Sequence, residues 1–320
     1  MCNGSIMDKL VSFALPLMLS GILQLMFNAV DIIVVGRFSG SEALAAVGST
    51  TALINVFTNL FIGISLGANV LAARFFAAGR REEMSETVHT SITLALISGI
   101  LMAFVGLVFS KGALELMGTP EDVIGLSTLY MRIYFMGMPF FMLYNYGAAI
   151  LRAVGDTKRP LYFLIIAGVI NAGLNMVLVI VFGLGVAGVG IATVFSQMVS
   201  CVLVLTCLCR TEGSYKLSFS KLSMKGYYLK QIFQVGIPAG IQSTVINFSN
   251  ALLQSSVNSF GSTAMAGYTA ANNILGFLYV SINSVTQACM SFTSQNFGVG
   301  KYKRMDRVLI DCMILSVGTA

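Results

Sequence analysis

The chain has 320 residues, of which 56% are hydrophobic and only 10% charged, with a formal net charge of +6. A soluble domain usually carries about 25% charge, so this composition excludes an ordinary soluble globule and fits a surface that meets lipid. The positive charge does not mark a nucleic-acid binder, because the basic residues lie in short gaps between apolar runs and not on one polar face.

A bilayer span needs about 20 mostly apolar residues. Taken in chain order, such runs fall near 11–36, 44–73, 88–110, 123–150, 161–182, 187–209, 232–258 and 263–297. A ninth starts near 308 and is cut at Ala320, which predicts a piece of a longer protein. The expected fold class is therefore all-α and polytopic transmembrane, with about eight complete helices and the start of a ninth. The segment from Met1 to Lys9 is short and polar, with no small-residue cleavage site after a lone apolar core. The first run is expected to be a retained helix, not a signal peptide. Pro16, Pro139 and Pro238 are expected to kink their helices. The six cysteines show no zinc spacing and have no histidine nearby, so neither a metal centre nor a cofactor is expected.

Orientation follows from Lys and Arg. If the N-terminus is cytoplasmic, 16 of the 19 basic residues fall on the inside, and only Arg37, Lys111 and Arg132 fall outside or at outer ends. The expected location is the plasma (cytoplasmic) membrane, with the N-terminus inside. The longest polar stretch, Arg210 to Lys230, follows the sixth span. It reads as a linker on the cytoplasmic surface, facing the anionic leaflet.

Two stretches match at one offset. Gly40, Ser41, Ala43 and Ala45 face Gly261, Ser262, Ala264 and Ala266; Phe76, Gly79 and Met84 face Phe297, Gly300 and Met305; Pro16 pairs with Pro238 after a one-residue slip. Six spans separate the copies, so both have the same orientation, as in parallel repeats related by an axis along the membrane normal. The expected organisation is a six-helix lobe at 1–210, a linker at 211–230 and an incomplete lobe at 231–320. A cleft between such lobes suits alternating access.

The polar residues inside the spans carry the functional argument. Ser20, Gln24, Asn28 and Asp31 follow helical spacing on one narrow face of the first span. Asp31 is the only acid well inside a complete span. A bare carboxylate there costs roughly 2.5–3.5 kcal/mol on insertion scales, so a proton, a cation or a basic partner must neutralise it. A carboxyl poised in this way can take up and release H⁺, or hold Na⁺, as the cleft opens and closes; a structural aspartate bonded to neighbouring helices is the alternative. Amide and hydroxyl pairs recur at Asn171 and Asn175, Thr193 and Gln197, Asn55 and Asn59, and along Asn247, Asn250 and Gln254. Each suits either interhelical glue or a cavity wall. Met26, Phe27, Met138 and Tyr144 are apolar cavity candidates for greasy substrates. His89, near the cytoplasmic end of the third span, reads as a packed histidine and not a ligand.

"FALPLMLSGILQLMFNAVDIIVVGRFSGSEALAAVG" and "AILRAVGDTKRPLYFLIIAGVINAGLNMVLVIVFGLGVAGVGIATVFSQ" resemble the multidrug and toxic compound extrusion (MATE) family, nearest its bacterial DinF-like and NorM-like members. The resemblance implies twelve helices in two six-helix lobes and a cation or proton site in the N-terminal lobe. Asp31, Asn171, Asn175 and Thr193 match that site, with Asn175 where an acid is common. One carboxylate in place of two favours H⁺ over Na⁺. The implied protein is a monomeric, lipid-embedded antiporter of organic, cationic or amphipathic compounds, needing no cofactor besides its coupling ion, and not an enzyme. The alternative is a flippase or exporter of lipid-linked or polysaccharide intermediates. That function would call for a basic cavity to hold phosphates, and the spans contain almost no interior Lys or Arg.

Overall fold

In this computed structural model the described residues are 1–258 and 262–319; side chains are described except at 52, 56, 247–248, 251–252, 254–255, 257–258, 262–270 and 272–274. They form α1 (Ile6–Phe38), α2 (Gly40–Ala77), α3 (Arg81–Leu116), α4 (Glu121–Met136), α5 (Met138–Ala153), α6 (Lys158–Asn175), α7 (Gly185–Arg210), α8 (Gly226–Asn258), α9 (Ser262–Gly298) and α10 (Tyr302–Thr319). A π-helical turn, Met176–Val181, continues α6, and a short 3₁₀ turn, Phe219–Lys221, lies between α7 and α8. No strand occurs among the described residues. In hydrocarbon the backbone must satisfy its own hydrogen bonds, and a helix does so within one segment.

Among the described residues, α1, α2, α3, α6 with its π turn, and α7 are long and apolar enough to cross a membrane by themselves. The helices run past the apolar limits read from sequence, because their hydrogen bonds continue through polar ends such as Arg81–Glu86. The fourth predicted span is two helices of 16 residues that meet at Gly137. Pro139 sits in the first turn of α5, where its missing N–H costs nothing. Gly99 of α3 seats this break, since a Cβ there would lie 2.5 Å from Pro139 Cα. By contrast α1 and α8 run through Pro16 and Pro238 without interruption.

The sequence repeat is also a repeat of geometry. The pair α1 and α2 spans 33 and 38 residues, and the pair α8 and α9 spans 33 and 37. After α2 the N–H groups of Gly79 and Arg80 donate to Phe76 O and Phe75 O; after α9 those of Gly300 and Lys301 donate to Phe297 O and Asn296 O. Both turns place a glycine in the left-handed region, Gly79 at φ 69° and Gly300 at φ 71°, which only glycine enters freely.

Two helix crossings join α1 and α2 to α8 and α9. Gly63 and Gly67 of α2 meet Gly236 and Gly240 of α8 backbone to backbone. A Cβ on Gly63 would fall 2.3 Å from Gly240 Cα, and one on Gly67 would fall 2.2 Å from Ile232 O. The counterpart crossing is α1 on α9, where Phe13 meets Phe292 edge to face at 5.6 Å and Gly21 receives Val280. Small residues let helix axes approach where lipid supplies no hydrophobic drive.

The end of the bundle that carries the basic loops is tied by polar contacts. Ser291 donates to Asn69 Oδ1 at 2.9 Å, Asn69 donates to Ala149 O at 2.8 Å, and Gln295 donates to Ala153 O at 2.6 Å. Lys301 donates to Cys2 O and Asn3 Oδ1, and Arg304 donates to Gly4 O, so the N-terminal segment straps the turn before α10. The segment after α7 is held as well. Leu217 is buried, its N–H donates to Leu208 O, and Lys225 lies 3.9 Å from Glu86.

Candidate functional site

A buried polar cluster forms where α1, α6 and α7 converge. Phe27 of α1 presses its ring onto Gly168 of α6, leaving no room for a Cβ there. One turn further along α1, Asp31 is only 8% exposed. Asn175, the last residue of α6, donates through Nδ2 to Asp31 Oδ1 and also to Asn171 Oδ1 at 3.1 Å. Thr193 of α7 reaches Asp31 Oδ2 at 3.4 Å while keeping a 3.0 Å bond to its own Val189 O. The four residues matched to the family site are therefore brought together.

The local sequence explains this convergence. Asn171 and Asn175 are one helical turn apart and share a face. The π turn begins directly after Asn175, with Phe182 N–H donating to Val177 O; such turns are often found at functional positions. Gly188 of α7 packs on Leu178 within that turn, which brings Thr193 close.

The charge balance is incomplete. Among the described residues no Lys or Arg forms an ion pair with Asp31. One amide and one distant hydroxyl are weak compensation for an ionised carboxylate in such a place. Asn175 spends both amide hydrogens on Asp31 and Asn171, and its own Oδ1 has no hydrogen-bond partner. An acceptor is thus left beside the carboxyl, with room in the bonding scheme for a proton or a small cation.

The other predicted cavity residues divide. Gln24, Met26, Asn28, Asn55 and Asn250 are exposed, and Asn59 and Gln197 are half-buried. An amide turned to hydrocarbon would forgo its hydrogen bonds, so the exposed amides suit the wall of a water-filled cleft. Ser20, on the same stripe, instead donates to Pro16 O. The expectation fails for Met138 and Tyr144. Met138 has no exposed surface, and Tyr144 is buried with its hydroxyl donating to Pro160 O at 3.2 Å. They pack where α5 starts, against Gly99 of α3, and where it meets Pro160 of α6. The side chains of Asn247 and Gln254 lie outside the described residues.

Two tyrosines near the site carry only a weak sequence signal. Tyr130 of α4 lies against Gly190 of α7, one turn before Thr193, and Tyr134 stands beside it with ring centroids 6.2 Å apart. Their sequence signal is two tyrosines one helical turn apart in the fourth apolar run. His89 is buried, as a packed histidine should be. Its Nδ1 lies 2.7 Å from Ser85 O, and its Nε2 accepts the Ser218 N–H at 3.2 Å. That pairing leaves the ring proton on Nδ1 and pins the segment after α7.

A family model described as MatE matches the chain over residues 16–177 and 238–320. The two blocks start at the two prolines paired by the internal repeat. The chain is 33% identical over 314 residues to the probable multidrug resistance protein YoeA of Bacillus subtilis, covering 95% of this chain and 67% of that protein. It is 24% identical over 308 residues to the FAD transporter of Shewanella oneidensis, covering 94% of this chain and 67% of that one. Among solved structures, one described as MATE in the straight conformation superposes with a TM-score of 0.92 at 23% identity, over 99% of this chain and 71% of its own. A MOP superfamily transporter from Pyrococcus furiosus gives a TM-score of 0.90 at 24% identity, over 97% of this chain and 69% of its own. The chain thus spans about two thirds of the curated relatives' length.

Proposed function

The chain belongs to the MATE family of membrane transporters, and from that premise we propose that it exports organic, cationic or amphipathic compounds in exchange for H⁺ taken up at Asp31. Members of this family carry cargo and do not perform enzymatic chemistry. The observation that carries the reading is the buried carboxyl of Asp31, held by Asn175 and Thr193 and paired with no basic residue among those described.

The mechanism follows from that imbalance. Residues 1–210 and 231–320 act as two lobes joined by the linker at 211–230, with the N-terminus on the cytoplasmic side of the plasma membrane, and the chain works as a monomer. The crossings of α2 with α8 and α1 with α9, with the Asn69–Ser291 and Gln295–Ala153 bonds, close the cytoplasmic side. Gln24, Asn28, Asn55 and Asn250 then line the cleft on the opposite side. Protonation of Asp31 removes its charge and gives it an O–H to donate. A flipped Asn175 amide can accept that hydrogen through Oδ1, so the α1–α6 contact reads the protonation state. Cargo leaves as the proton arrives, and the lobes rock to release the proton inside. A ligand shifts such an equilibrium only through differential affinity for the two states.

Cationic dye accumulation in an efflux-deficient bacterium tests the coupling. Export is expected to stop when the proton gradient is collapsed at neutral pH, with no rescue by Na⁺. Rescue by Na⁺ would overturn H⁺ as the coupling ion.

The lone carboxylate makes a separate prediction. In Asn175→Asp two carboxylates would share one site, and like charges so close need a cation or a shared proton. Dye export by this variant is expected to gain a severalfold stimulation by Na⁺ that the parent lacks. Export indifferent to Na⁺ would show that the second acid is not what separates the two ions.

A further inference from the structure

At the basic end of the bundle, away from Asp31, the start of α6 and the end of α7 flank a cavity of about 500 Å³. It is lined by Arg159, Cys207, Arg210, Thr211, Glu212 and Tyr215. The two arginines come from different helices, Arg159 from the start of α6 and Arg210 from the end of α7. Arg159 reaches across from α6, with Nε 3.2 Å from Asp156 Oδ2 and Nη1 donating to Cys207 Sγ at 3.5 Å. Its fork is therefore held in place, with its charge only partly answered by Asp156. Arg210, in the last turn of α7, forms no ion pair among the described residues. Tyr215 is set edge to face on Phe76 at 6.1 Å, which holds its ring beside the cavity. Glu212 contributes a negative charge to the lining.

A cation in the last turn of a helix is favoured by the helix dipole alone. That accounts for Arg210 but not for a second guanidinium, from another helix, lining the same cavity. Guanidinium forks match phosphate oxygens two at a time. Both α6 with its π turn and α7 are long and apolar enough to cross a membrane, so the ends that form this cavity stand at the level of the phosphate headgroups. Basic pockets between membrane helices on this side are suited to such groups, and the volume accommodates one.

We propose that this cavity binds a phosphate group, presented by an anionic phospholipid headgroup, between Arg159 and Arg210. The site is independent of the Asp31 mechanism.

The test titrates the purified protein in uncharged detergent with short-chain phosphatidylglycerol, short-chain phosphatidylcholine and inorganic phosphate, following binding by thermophoresis. Phosphatidylglycerol is expected to saturate, and phosphatidylcholine to bind at least about tenfold more weakly. Arg159→Gln and Arg210→Gln should each weaken phosphatidylglycerol binding about tenfold, the size of one lost charge-assisted contact. Glu212→Gln should tighten it, which no folding defect would do. Lys303→Gln removes the same charge from the basic end outside the cavity and should leave binding unchanged. Equal binding of both lipids, an equal loss in Lys303→Gln, or weakening in Glu212→Gln would overturn the proposal. Saturation by inorganic phosphate as tightly as by phosphatidylglycerol would overturn the lipid as the source of the phosphate.

Discussion

Asp31→Asn is expected to abolish coupled dye export while leaving the protein at parental abundance in the membrane. Asparagine has nearly the shape of aspartate, and its carbonyl can still accept from Asn175 Nδ2, the contact that Asp31 Oδ1 makes now. The fold has little to lose. A carboxylate buried in this setting costs roughly 2.5–3.5 kcal/mol on insertion scales, and the amide removes that cost. What disappears, on the proposed mechanism, is the proton that the site exchanges. With no titrating group the α1–α6 contact has a single state, and the gradient can no longer bias the lobes. The assay compares steady-state dye accumulation in cells making parent or variant, with abundance checked by immunoblot. Accumulation should rise to that of cells without the transporter. If the variant still expels dye as well as the parent, Asp31 is structural and the coupling group lies elsewhere.

The second large effect concerns the close crossing of α2 and α8. Gly63→Val is expected to prevent the two helices from meeting and to stop export. A Cβ at residue 63 would sit 2.3 Å from Gly240 Cα and the same distance from Gly240 N. Both are backbone atoms, so no side-chain rotation relieves the overlap. The helices must separate, and the bonds beyond them, Ser291 to Asn69 and Gln295 to Ala153, then lose their geometry. The closed arrangement at the basic end would be lost, while a state open at that end remains available. Cysteines placed at residues 69 and 291, in a background without the native cysteines, report on this directly. They should crosslink efficiently with Gly63 present and at least about tenfold less in the Gly63→Val variant. Unchanged crosslinking together with normal export would mean that the close approach is not needed for closure.

Much of this was legible in the residues. The apolar runs near 11–36, 44–73 and 88–110 are helices because lipid leaves the backbone no other partner. The repeat was legible because the turn after each long helix demands a glycine in the left-handed region, at Gly79 and again at Gly300. Asp31 was legible because an acid inside a span is costly enough to be conspicuous; that Asn171, Asn175 and Thr193 belong with it was implied only by the resemblance to the MATE family, since their helical spacing suits interhelical glue equally well.

Other features were not legible from local sequence. Pro139 marked a bend in the fourth span, but not that the span divides into two separate helices at Gly137, because hydropathy does not register where a helix ends. Met138 and Tyr144 read as greasy cavity residues, but burial depends on which neighbour covers a face, and here the neighbours are α3 and α6. Tyr130 and Tyr134 stand 99 and 103 positions from Asp31 in the chain, so no local pattern links them.

Composition and periodicity by themselves determined a membrane-embedded helical chain, its duplicated helix pair and an acid inside a span, because each follows from short-range rules: span length, turn chemistry and the cost of a charge in hydrocarbon. Only the tertiary structure decided which partners Asp31 has, that Gly63 and Gly67 meet Gly236 and Gly240 backbone to backbone, and that Arg159 and Arg210 face one cavity. Those outcomes depend on how helices far apart in sequence lie against one another, and packing between distant helices is set by the shape of whole surfaces and not by any one segment.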